Sequence, residues 1–311
     1  MPTPLRTVPL EKERVWGGSR LRSPRALPIG ELWVAGPWLA VAAGPHAGRT
    51  LEELAAELGE RLVGAASPAG EGPRFPLLVK FLDPAAWLSI QVHPDDATAR
   101  RLEGPGAVGK TEAWYVLEAE PGAELLVGTR PGVTLDEVRA AIGRPAATRG
   151  TAVADLMERT AVRPGDAFLI PAGTLHSVGP GVLLYELQQP SDLTYRVDDW
   201  GRPPTPGRRL HTAQALASVA VGGPVRRPTG DVARIVACPH FVLDDLDAPA
   251  TLDPAGRTLH VVAAVGAPVD LAGHGWSERL APLEVVVVPA TAGPYGLRPR
   301  RGGRALVASL P

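Results

Sequence analysis

The stretch LSIQVHPDD, Leu88 to Asp96, alternates in the way a β-strand does, but its polar residues are ones that can carry chemistry. Side chains at positions i and i+2 share one face of a strand. The polar row is therefore Ser89, Gln91 and His93, and the apolar row is Leu88, Ile90 and Val92. An ordinary half-buried strand turns its polar row to water, so the fold depends on whether this row faces water or lines a site.

The composition favours short strands joined by many turns. Glycine and proline supply 35 and 34 of the 311 residues, and 45% of the residues are hydrophobic. A helix is predicted from about residue 51 to 62, because Thr50 and Glu53 have the spacing of a capping box. Two further helices are predicted in 134–143 and 151–160, each opening with a threonine. We therefore expect an all-β chain with a small helical insert.

The charge and the cysteine content argue against several classes of protein. The formal net charge is −1, which gives no electrostatic argument for nucleic acid or for an acidic membrane surface. No apolar run reaches the roughly 20 residues of a membrane span, and the N-terminal stretch lacks the apolar core of a signal peptide. The single cysteine, Cys238, suits a reducing compartment. We expect a cytoplasmic protein that binds neither nucleic acid nor membrane, and the sequence leaves its oligomeric state open.

Three segments supply the ligands of a candidate metal site. Gln91 and His93 come from the opening stretch, Glu112 from GKTEAWYVL and His176 from PGDAFLIPAGTLHSV. Together they offer nitrogen and oxygen ligands that suit Zn²⁺, Fe²⁺ or Mn²⁺. A rolled sheet would bring such segments together, so the site is expected inside a barrel. The remaining histidines have no partner at ligand spacing and are expected to be structural or exposed: His46, His211, His240, His260 and His274.

The order of these motifs resembles that of a known family. The run Gly165-x5-Pro171-x-Gly173-x2-His176 is similar to the second motif of the cupin superfamily, and Gln-x-His with a glutamate on the next hairpin is similar to its first. More narrowly, SIQVHPDD, GKTEAWYVL, PAGTLHSV and ELQQPSDLTYRVDDWGR resemble the short bacterial form of type I mannose-6-phosphate isomerases, as do WGG and IGELW near the N-terminus. The likeness runs from about Trp16 to Arg202, and more weakly to the end.

The resemblance implies an aldose–ketose isomerase that interconverts mannose 6-phosphate and fructose 6-phosphate with one Zn²⁺ per chain. The implied metal ligands are Gln91, His93, Glu112 and His176. The implied substrate-binding residues are Lys80, Ser89 and Arg196, and the implied catalytic residues are Lys110, Glu186, Asp192 and Arg196. We expect Lys110 to move the proton, because a metal nearby would lower its pKa, with Glu186 and Asp192 as alternatives.

Two positions depart from the pattern of these relatives. The longer members of the family have a histidine before the lysine that matches Lys110, whereas this chain has Gly109. Any catalytic role of that histidine cannot be transferred here. The asparagine that closes the second cupin motif is also missing, since Pro180 stands at its spacing.

The C-terminal part of the sequence resembles a second copy of the same fold. The segment RLAPLEVVVVPATAGPY, 279–295, is similar to TAVRPGDAFLIPAGTLHSV, and aligning Pro171 with Pro289 puts Pro294 where His176 stands. The run WGRPPTPGRRL has the composition of a linker. We predict a catalytic domain with the helical insert in 1–200, a linker in 201–210 and a second domain without a metal site in 211–311. Each domain would be a cupin-like jelly-roll barrel.

Two other functions fit parts of the pattern. An Fe(II)-dependent cupin oxygenase would use His93, Glu112 and His176 as a facial triad, but Gln91 as a fourth ligand argues against it. A non-catalytic sugar-phosphate-binding cupin would bind without turnover, but the intact ligand set makes this reading weaker. Metal analysis and oxygen dependence separate the first from an isomerase, and a turnover assay separates the second.

Overall fold

Six helices occur in the computed structural model, which describes residues 3–22, 28–67, 74–223, 225–227 and 233–311. They are α1 (Leu51–Leu58), α2 (Glu60–Val63), α3 (Asp96–Glu103), α4 (Leu135–Ile142), α5 (Ala146–Ala154) and α6 (Thr212–Ser218). The predicted helix over 51–62 is present, but Gly59 divides it in two. Thr50 and Glu53 form the capping box expected from their spacing.

The rest of the described secondary structure is β-strand. The first strands are β1 (Leu10–Gly18), β2 (Ile29–Ala35), β3 (Leu78–Leu82), β4 (Ile90–Val92), β5 (Glu112–Ala119), β6 (Glu124–Thr129) and β7 (Met157–Ala161). The next are β8 (Ala167–Ile170), β9 (His176–Val178), β10 (Val182–Gln188), β11 (Tyr195–Asp198), β12 (Val225–Arg227), β13 (Arg234–Ala237) and β14 (Val242–Leu246). The last are β15 (Ala250–Leu252), β16 (His260–Val265), β17 (Val269–Gly273), β18 (Trp276–Leu280), β19 (Val285–Val288), β20 (Tyr295–Pro299) and β21 (Arg304–Ser309).

The chain divides into two compact units, and neither is continuous in sequence. The first unit comprises 1–12, 32–81 and 229–311, and the second comprises 13–31 and 82–228. The predicted linker 201–210 therefore lies within the second unit. The domain boundaries that we expect from the sequence stay a prediction: 1–200, 201–210 and 211–311.

The first unit contains two antiparallel sheets with an apolar core. One sheet has the order β13-β14-β21-β16-β19 and the other β15-β20-β17-β18. Residues of both sheets, among them Val262, Leu271 and Tyr295, share one buried cluster. His260 is buried in this unit, where its Nδ1 lies 2.9 Å from the hydroxyl of Tyr295. The structural role expected for His260 fits this hydrogen bond.

The second unit brings two layers of strands together. One sheet has the order β11-β4-β9-β6-β7, and in the other layer β10, β5, β8 and β12 pair in that order. Side chains from both layers, such as Leu125, Val178, Trp114 and Phe168, form a common core. Two packed β-layers normally exclude water in this way, with apolar side chains from the inner face of each layer meeting between them.

The apolar row of the opening stretch is buried, but it divides between two clusters. Ile90 and Val92 pack with Val138 and Ile142 of α4, so the helical insert covers the outer face of β4. Leu88 instead joins the core between the two layers. The strict alternation begins where β4 does, at Ile90, and Leu88 lies before that point. The polar row from Gln91 onward is thereby turned away from the helices.

The helical insert matches the prediction in its first half and departs from it in its second. Thr134 caps α4 with a full capping box. The second helix, α5, begins at Ala146, directly after Pro145, so Thr151 lies inside it and does not cap it. The predicted continuation through 157–160 is wrong. Met157–Ala161 is strand β7, which pairs with β6, because pairing with an existing sheet edge outweighs a weak local helical pattern.

The all-β class is confirmed, and the sheets are not closed into barrels. The arrangement of the strands as two jelly-roll barrels therefore stays a prediction. Within the described residues, no helix has the length and apolar character that crossing a membrane requires.

Candidate metal centre

Two imidazoles and one carboxylate converge in the second unit. His93 follows β4, Glu112 opens β5 and His176 opens β9. His93 Nε2 lies 3.4 Å from Glu112 Oε2, and His176 Nε2 lies 3.4 Å from Glu112 Oε1. All three side chains are buried, and their candidate ligand atoms lie within 4.8 Å of one another. The sequence prediction placed these three residues together, and the structure brings them together.

Strand pairing explains this convergence. Gln91 of β4 lies directly opposite His176 of β9, so both side chains share one face of the sheet. Glu112 reaches them from the other layer, where it lies opposite Gln188 of β10. The cluster therefore lies between the two layers of strands, where the polar row of the opening stretch points.

The main chain fixes the orientation of both imidazoles. His93 Nδ1 lies 2.8 Å from the carbonyl oxygen of Leu193, and His176 Nδ1 lies 2.9 Å from that of Thr174. A carbonyl oxygen can only accept, so each Nδ1 carries the proton and each Nε2 presents a lone pair to the cluster. Metal-binding histidines are commonly oriented in this way. The sequence did not reveal these two carbonyl groups, because every residue type has one.

The protonation states suit metal binding. Burial, together with the charge of Lys110, lowers the pKa of His93 to about 3. Burial also lowers the pKa of His176. Burial raises the pKa of Glu112, but Lys110 and the two histidines outweigh it and hold that pKa well below its usual range. At neutral pH the centre thus offers two neutral imidazoles and a carboxylate, which are the protonation states that a divalent cation requires.

One buried oxygen in this cluster has no hydrogen-bond donor. Among the described residues, Glu112 Oε1 is buried without a hydrogen-bond partner. A buried, unsatisfied carboxylate oxygen is costly. Its position between two imidazole nitrogens fits a divalent metal ion, and the mixed nitrogen and oxygen ligands suit zinc.

Gln91 lies beside this cluster, where it contacts both a ligand and a substrate candidate. Its Nε2 lies 3.1 Å from His176 Nε2, and its Oε1 accepts a hydrogen bond from Ser89 at 3.0 Å. The two ends of an amide are distinguished by their hydrogen-bond partners alone. Turning the amide by half a rotation presents Oε1 to the cluster, as a metal ligand requires. The ligand role of Gln91 and the substrate role of Ser89 stay predictions.

Lys110 and Glu186 add two further charged groups to the centre. The Lys110 ammonium contacts the Glu112 carboxylate, lies 2.9 Å from His93 Nε2 and lies 3.8 Å from Glu186 Oε1. Both side chains are buried. Glu186 of β10 lies opposite Trp114 of β5, and this pairing turns it to the same side as Glu112. The structure thus places two of the candidate proton carriers at the ligands themselves.

The protein's own groups set the pKa of Lys110, and the lowering that we expect from a bound metal stays a prediction. Among the protein's own groups the pKa of Lys110 is raised: burial alone lowers it, but Glu112 and Glu186 outweigh burial. A buried ammonium between two carboxylates is stabilised as a cation. The approach of Glu186 to within 3.8 Å of the ammonium follows from the pairing of β10 with β5, which local sequence does not show.

The two remaining catalytic candidates, Asp192 and Arg196, lie near the centre but differ in their exposure. Asp192 is exposed, although its charge acts on Lys110. Arg196 lies opposite Gln91 in the pairing of β11 with β4, so their side chains share a face. Its Nε is buried without a hydrogen-bond partner among the described residues. Burial, followed by the charge of Arg208, lowers the pKa of Arg196.

Lys80, the other substrate-binding candidate, belongs to the first unit. It is buried in β3, with its Nζ 4.6 Å from the centre of the Trp33 ring. The Nζ of Lys12 lies 4.4 Å from the same ring. These are cation–π distances, which accounts for a lysine in an apolar strand. Its predicted role toward a substrate stays a prediction.

The glycine before Lys110 has a physical explanation in the second unit. A Cβ at Gly109 would lie 2.5 Å from the Asp96 nitrogen and 2.6 Å from the Asp95 carbonyl carbon. The Gly109 N–H also donates to Asp96 Oδ1 at 2.7 Å. Main-chain atoms therefore fill the space that a side chain would need, so any larger residue here requires the main chain to shift.

Replacing Gly109 with alanine tests this close packing. We expect a loss of about 1–3 kcal/mol in the free energy of unfolding, because main-chain atoms cannot yield as a flexible side chain can. Denaturant unfolding of the purified variant measures it. Gly106→Ala is the matched control, since no atom lies within 4 Å of a Cβ built there. Equal stability of the two variants would contradict the packing argument.

Comparisons with known proteins agree with this fold and centre. Residues 12–122 match the family model for the catalytic domain of type I phosphomannose isomerase. The mannose-6-phosphate isomerase of Streptococcus mutans is 38% identical over 226 residues, 68% of this chain and 66% of the relative. That of Bacillus subtilis is 38% identical over 228 residues, 70% of this chain and 68% of the relative. The aligned part thus spans about two thirds of these relatives.

Solved structures extend the likeness over the whole chain. The crystal structure of mannose 6-phosphate isomerase from Bacillus subtilis matches with a TM-score of 0.82 and 29% identity, covering 99% of both chains. A mannose 6-phosphate isomerase bound with zinc and yttrium shares the fold, with a TM-score of 0.74 and 16% identity. The fold and the site therefore define an isomerase of the cupin fold with a candidate metal centre. The comparisons give no support to the oxygenase or to the non-catalytic binding module. The chain belongs to the type I phosphomannose isomerase family, and the predicted isomerase class is confirmed.

Proposed function

We propose that this chain interconverts mannose 6-phosphate and fructose 6-phosphate at the centre formed by His93, Glu112 and His176. The observation that carries the proposal is this buried cluster, with two Nε2 lone pairs and an ionised carboxylate facing one another. The named activity of the relatives supports the choice of substrate.

The residues at the centre fit one zinc ion. His93, Glu112 and His176 would hold it, and Gln91 would complete a set of four ligands through its amide oxygen. When bound, the ion polarises the sugar oxygens and stabilises the negative charge that develops as a proton leaves carbon. The stoichiometry of one zinc per chain is part of this proposal.

The proton transfer is assigned to Lys110. Isomerisation moves a proton between the two carbon atoms C1 and C2, and another between their oxygens. Lys110 touches one ligand carboxylate and lies 2.9 Å from a ligand imidazole nitrogen, so it is within reach of a sugar bound at the centre. Glu186 is the buried alternative and Asp192 the exposed one.

The phosphate is assigned to Arg196, with Ser89 beside the ligands. Arg196 shares a face of the sheet with Gln91, and a planar guanidinium matches the oxygens of a phosphate. Ser89 lies within hydrogen-bond distance of the Gln91 amide, and once Oε1 is turned to the cluster the Ser89 hydroxyl would accept from Nε2 and hold that orientation. We also infer a cytoplasmic location, which is supported by the free, half-buried Cys238 and by the metabolic activity named for the relatives.

Purified protein incubated with mannose 6-phosphate should form fructose 6-phosphate, and a chelator should abolish this conversion. The expected loss is complete within the limits of a coupled assay, because the charge on the sugar oxygens is then unsupported. Added Zn²⁺ should restore activity in proportion to the metal bound, up to one ion per chain. Failure of a metal-loaded sample to convert either sugar would end the proposal.

A further inference from the structure

His211 stands at the start of a helix but does not act as its cap. It occupies the N-cap position of α6, where serine, threonine, aspartate and asparagine are preferred, and its side chain makes no capping hydrogen bond. Its Nδ1 instead accepts a hydrogen bond from the main-chain N–H of Arg196, at 3.1 Å. A residue that breaks a local rule in this way is often held for another purpose.

The contact between these two residues is reciprocal. While Nδ1 of His211 accepts from the Arg196 N–H, the main-chain N–H of His211 donates to the Arg196 carbonyl oxygen at 2.8 Å. The intervening segment 197–210 is thereby closed into a loop. Both bonds meet at the residue that pairs with Gln91 of β4. The composition of 201–210 suggested a linker. In the structure the chain after this segment bonds back to β11, through His211 and Arg196.

The same loop holds the guanidinium of Arg196. Its Nη1 donates to the carbonyl oxygen of Arg209, two residues before His211, at 3.1 Å. Asp199, whose charge acts on Arg196, is engaged by Arg202 at 3.1 Å and by Arg208 at 2.9 Å. Among the described residues, no carboxylate lies within ion-pair distance of Arg196. Its charge is therefore held in place by main chain and is not neutralised by a side chain.

The state of the imidazole agrees with its role as an acceptor. Burial lowers the pKa of His211, and the charges of Arg196 and Arg209 lower it further. A neutral ring with its proton on Nε2 leaves Nδ1 free to accept the Arg196 N–H.

We propose that His211 is a positioning residue for Arg196: it fixes the strand position and the loop that aim the guanidinium at the phosphate of the substrate. The proposal rests on the function proposed above and adds a residue to it. Among the described residues, His211 makes no hydrogen bond to a proposed metal ligand, and its contacts with Arg196 make it act through that residue.

Two substitutions separate positioning from helix capping. His211→Ser removes the acceptor but creates a serine three residues before Gln214, which is the sequence of a capping box. The helix start should therefore be retained and the melting temperature unchanged. We expect the KM for mannose 6-phosphate to rise about tenfold while kcat and the zinc content stay within about twofold of the wild-type values. His211→Asn should keep KM near the wild-type value, because its side-chain oxygen can replace Nδ1 as the acceptor.

A double-mutant cycle shows whether His211 acts through Arg196. Arg196→Ala should itself raise KM, and adding His211→Ser to it should change KM less than about twofold, because the group being positioned is already gone. His274→Ala, an exposed histidine of the first unit, is the control and should match the wild type. A full tenfold effect of His211→Ser in the Arg196→Ala background would refute the proposal.

The remaining outcomes are also decisive. An unchanged KM in His211→Ser, or a fall in zinc content and kcat without a change in KM, would overturn the positioning role. In either case the wild type would still isomerise, and the proposed function would stand. A metal-loaded wild type that converts neither sugar would instead end the proposed function, and the role of His211 with it.

Discussion

Replacing His176 with alanine should remove the bound metal and lower kcat/KM by at least about a thousandfold. The imidazole is one of only two nitrogen ligands in the proposed set. Its removal leaves His93 and Glu112 as the remaining ligands of the buried cluster, which is too few to hold zinc tightly. Without zinc, the charge that develops on the sugar oxygens is unsupported. Metal analysis after exhaustive dialysis and turnover rates at substrate concentrations well below KM measure the two effects.

The design must distinguish a lost ligand from a damaged fold. His46→Ala removes a histidine from a turn in the first unit and should leave both metal and turnover unchanged. Added imidazole should restore part of the metal affinity of the His176→Ala variant, since it can enter the space left behind. One zinc per chain in the unrescued variant would refute the assignment of His176 as a ligand.

Replacing Lys110 with methionine should lower kcat by about a hundredfold or more while the metal stays bound. Methionine has a similar length but carries no proton, and general acid–base groups contribute about 10²–10⁴-fold to rates. The three ligands His93, Glu112 and His176 are all retained, although Glu112 and His93 lose their contact with the ammonium. Turnover, the zinc content and the KM should be measured on one sample, because loss of proton transfer changes kcat and leaves metal and substrate binding largely intact.

Lys12→Met is the matched control for this experiment, because it removes another lysine ammonium from the same chain. A Lys110→Met variant with near-normal kcat would exclude Lys110 as the proton carrier. Glu186→Gln and Asp192→Asn would then identify which alternative carries it. Loss of zinc from Lys110→Met would show that the ammonium acts on the ligands and not on the sugar.

The polar row and the cluster of His93, Glu112 and His176 could be predicted because they depend on periodicity and on rare residue types. Gln91 and His93 share a face in any extended strand, and the motif around His176 has few other uses. Even the capping boxes at Thr50 and Thr134 follow from local spacing. In each case residues close together in the sequence determine both the residue type and the local geometry.

What could not be predicted depends on contacts between distant parts of the chain. The carbonyl groups of Leu193 and Thr174 orient the imidazoles, but a carbonyl leaves no signature in the sequence. Strand β7 forms because it pairs with the edge of β6. A local sequence pattern does not predict this pairing. His211 was expected to be structural or exposed, and its contact with Arg196 spans fifteen positions.

The main chain packed against Gly109 has a consequence for selective inhibition. A compound designed to engage the histidine that the longer relatives carry before this lysine would find no partner in this chain. A substitution that introduced such a partner at Gly109 would force the main chain of Asp95 and Asp96 to shift. Conversely, a compound that fits closely around a bare backbone at this position would discriminate against the longer forms. Selectivity at this position would then rest on the path of the main chain beside Gly109 and not on a side chain.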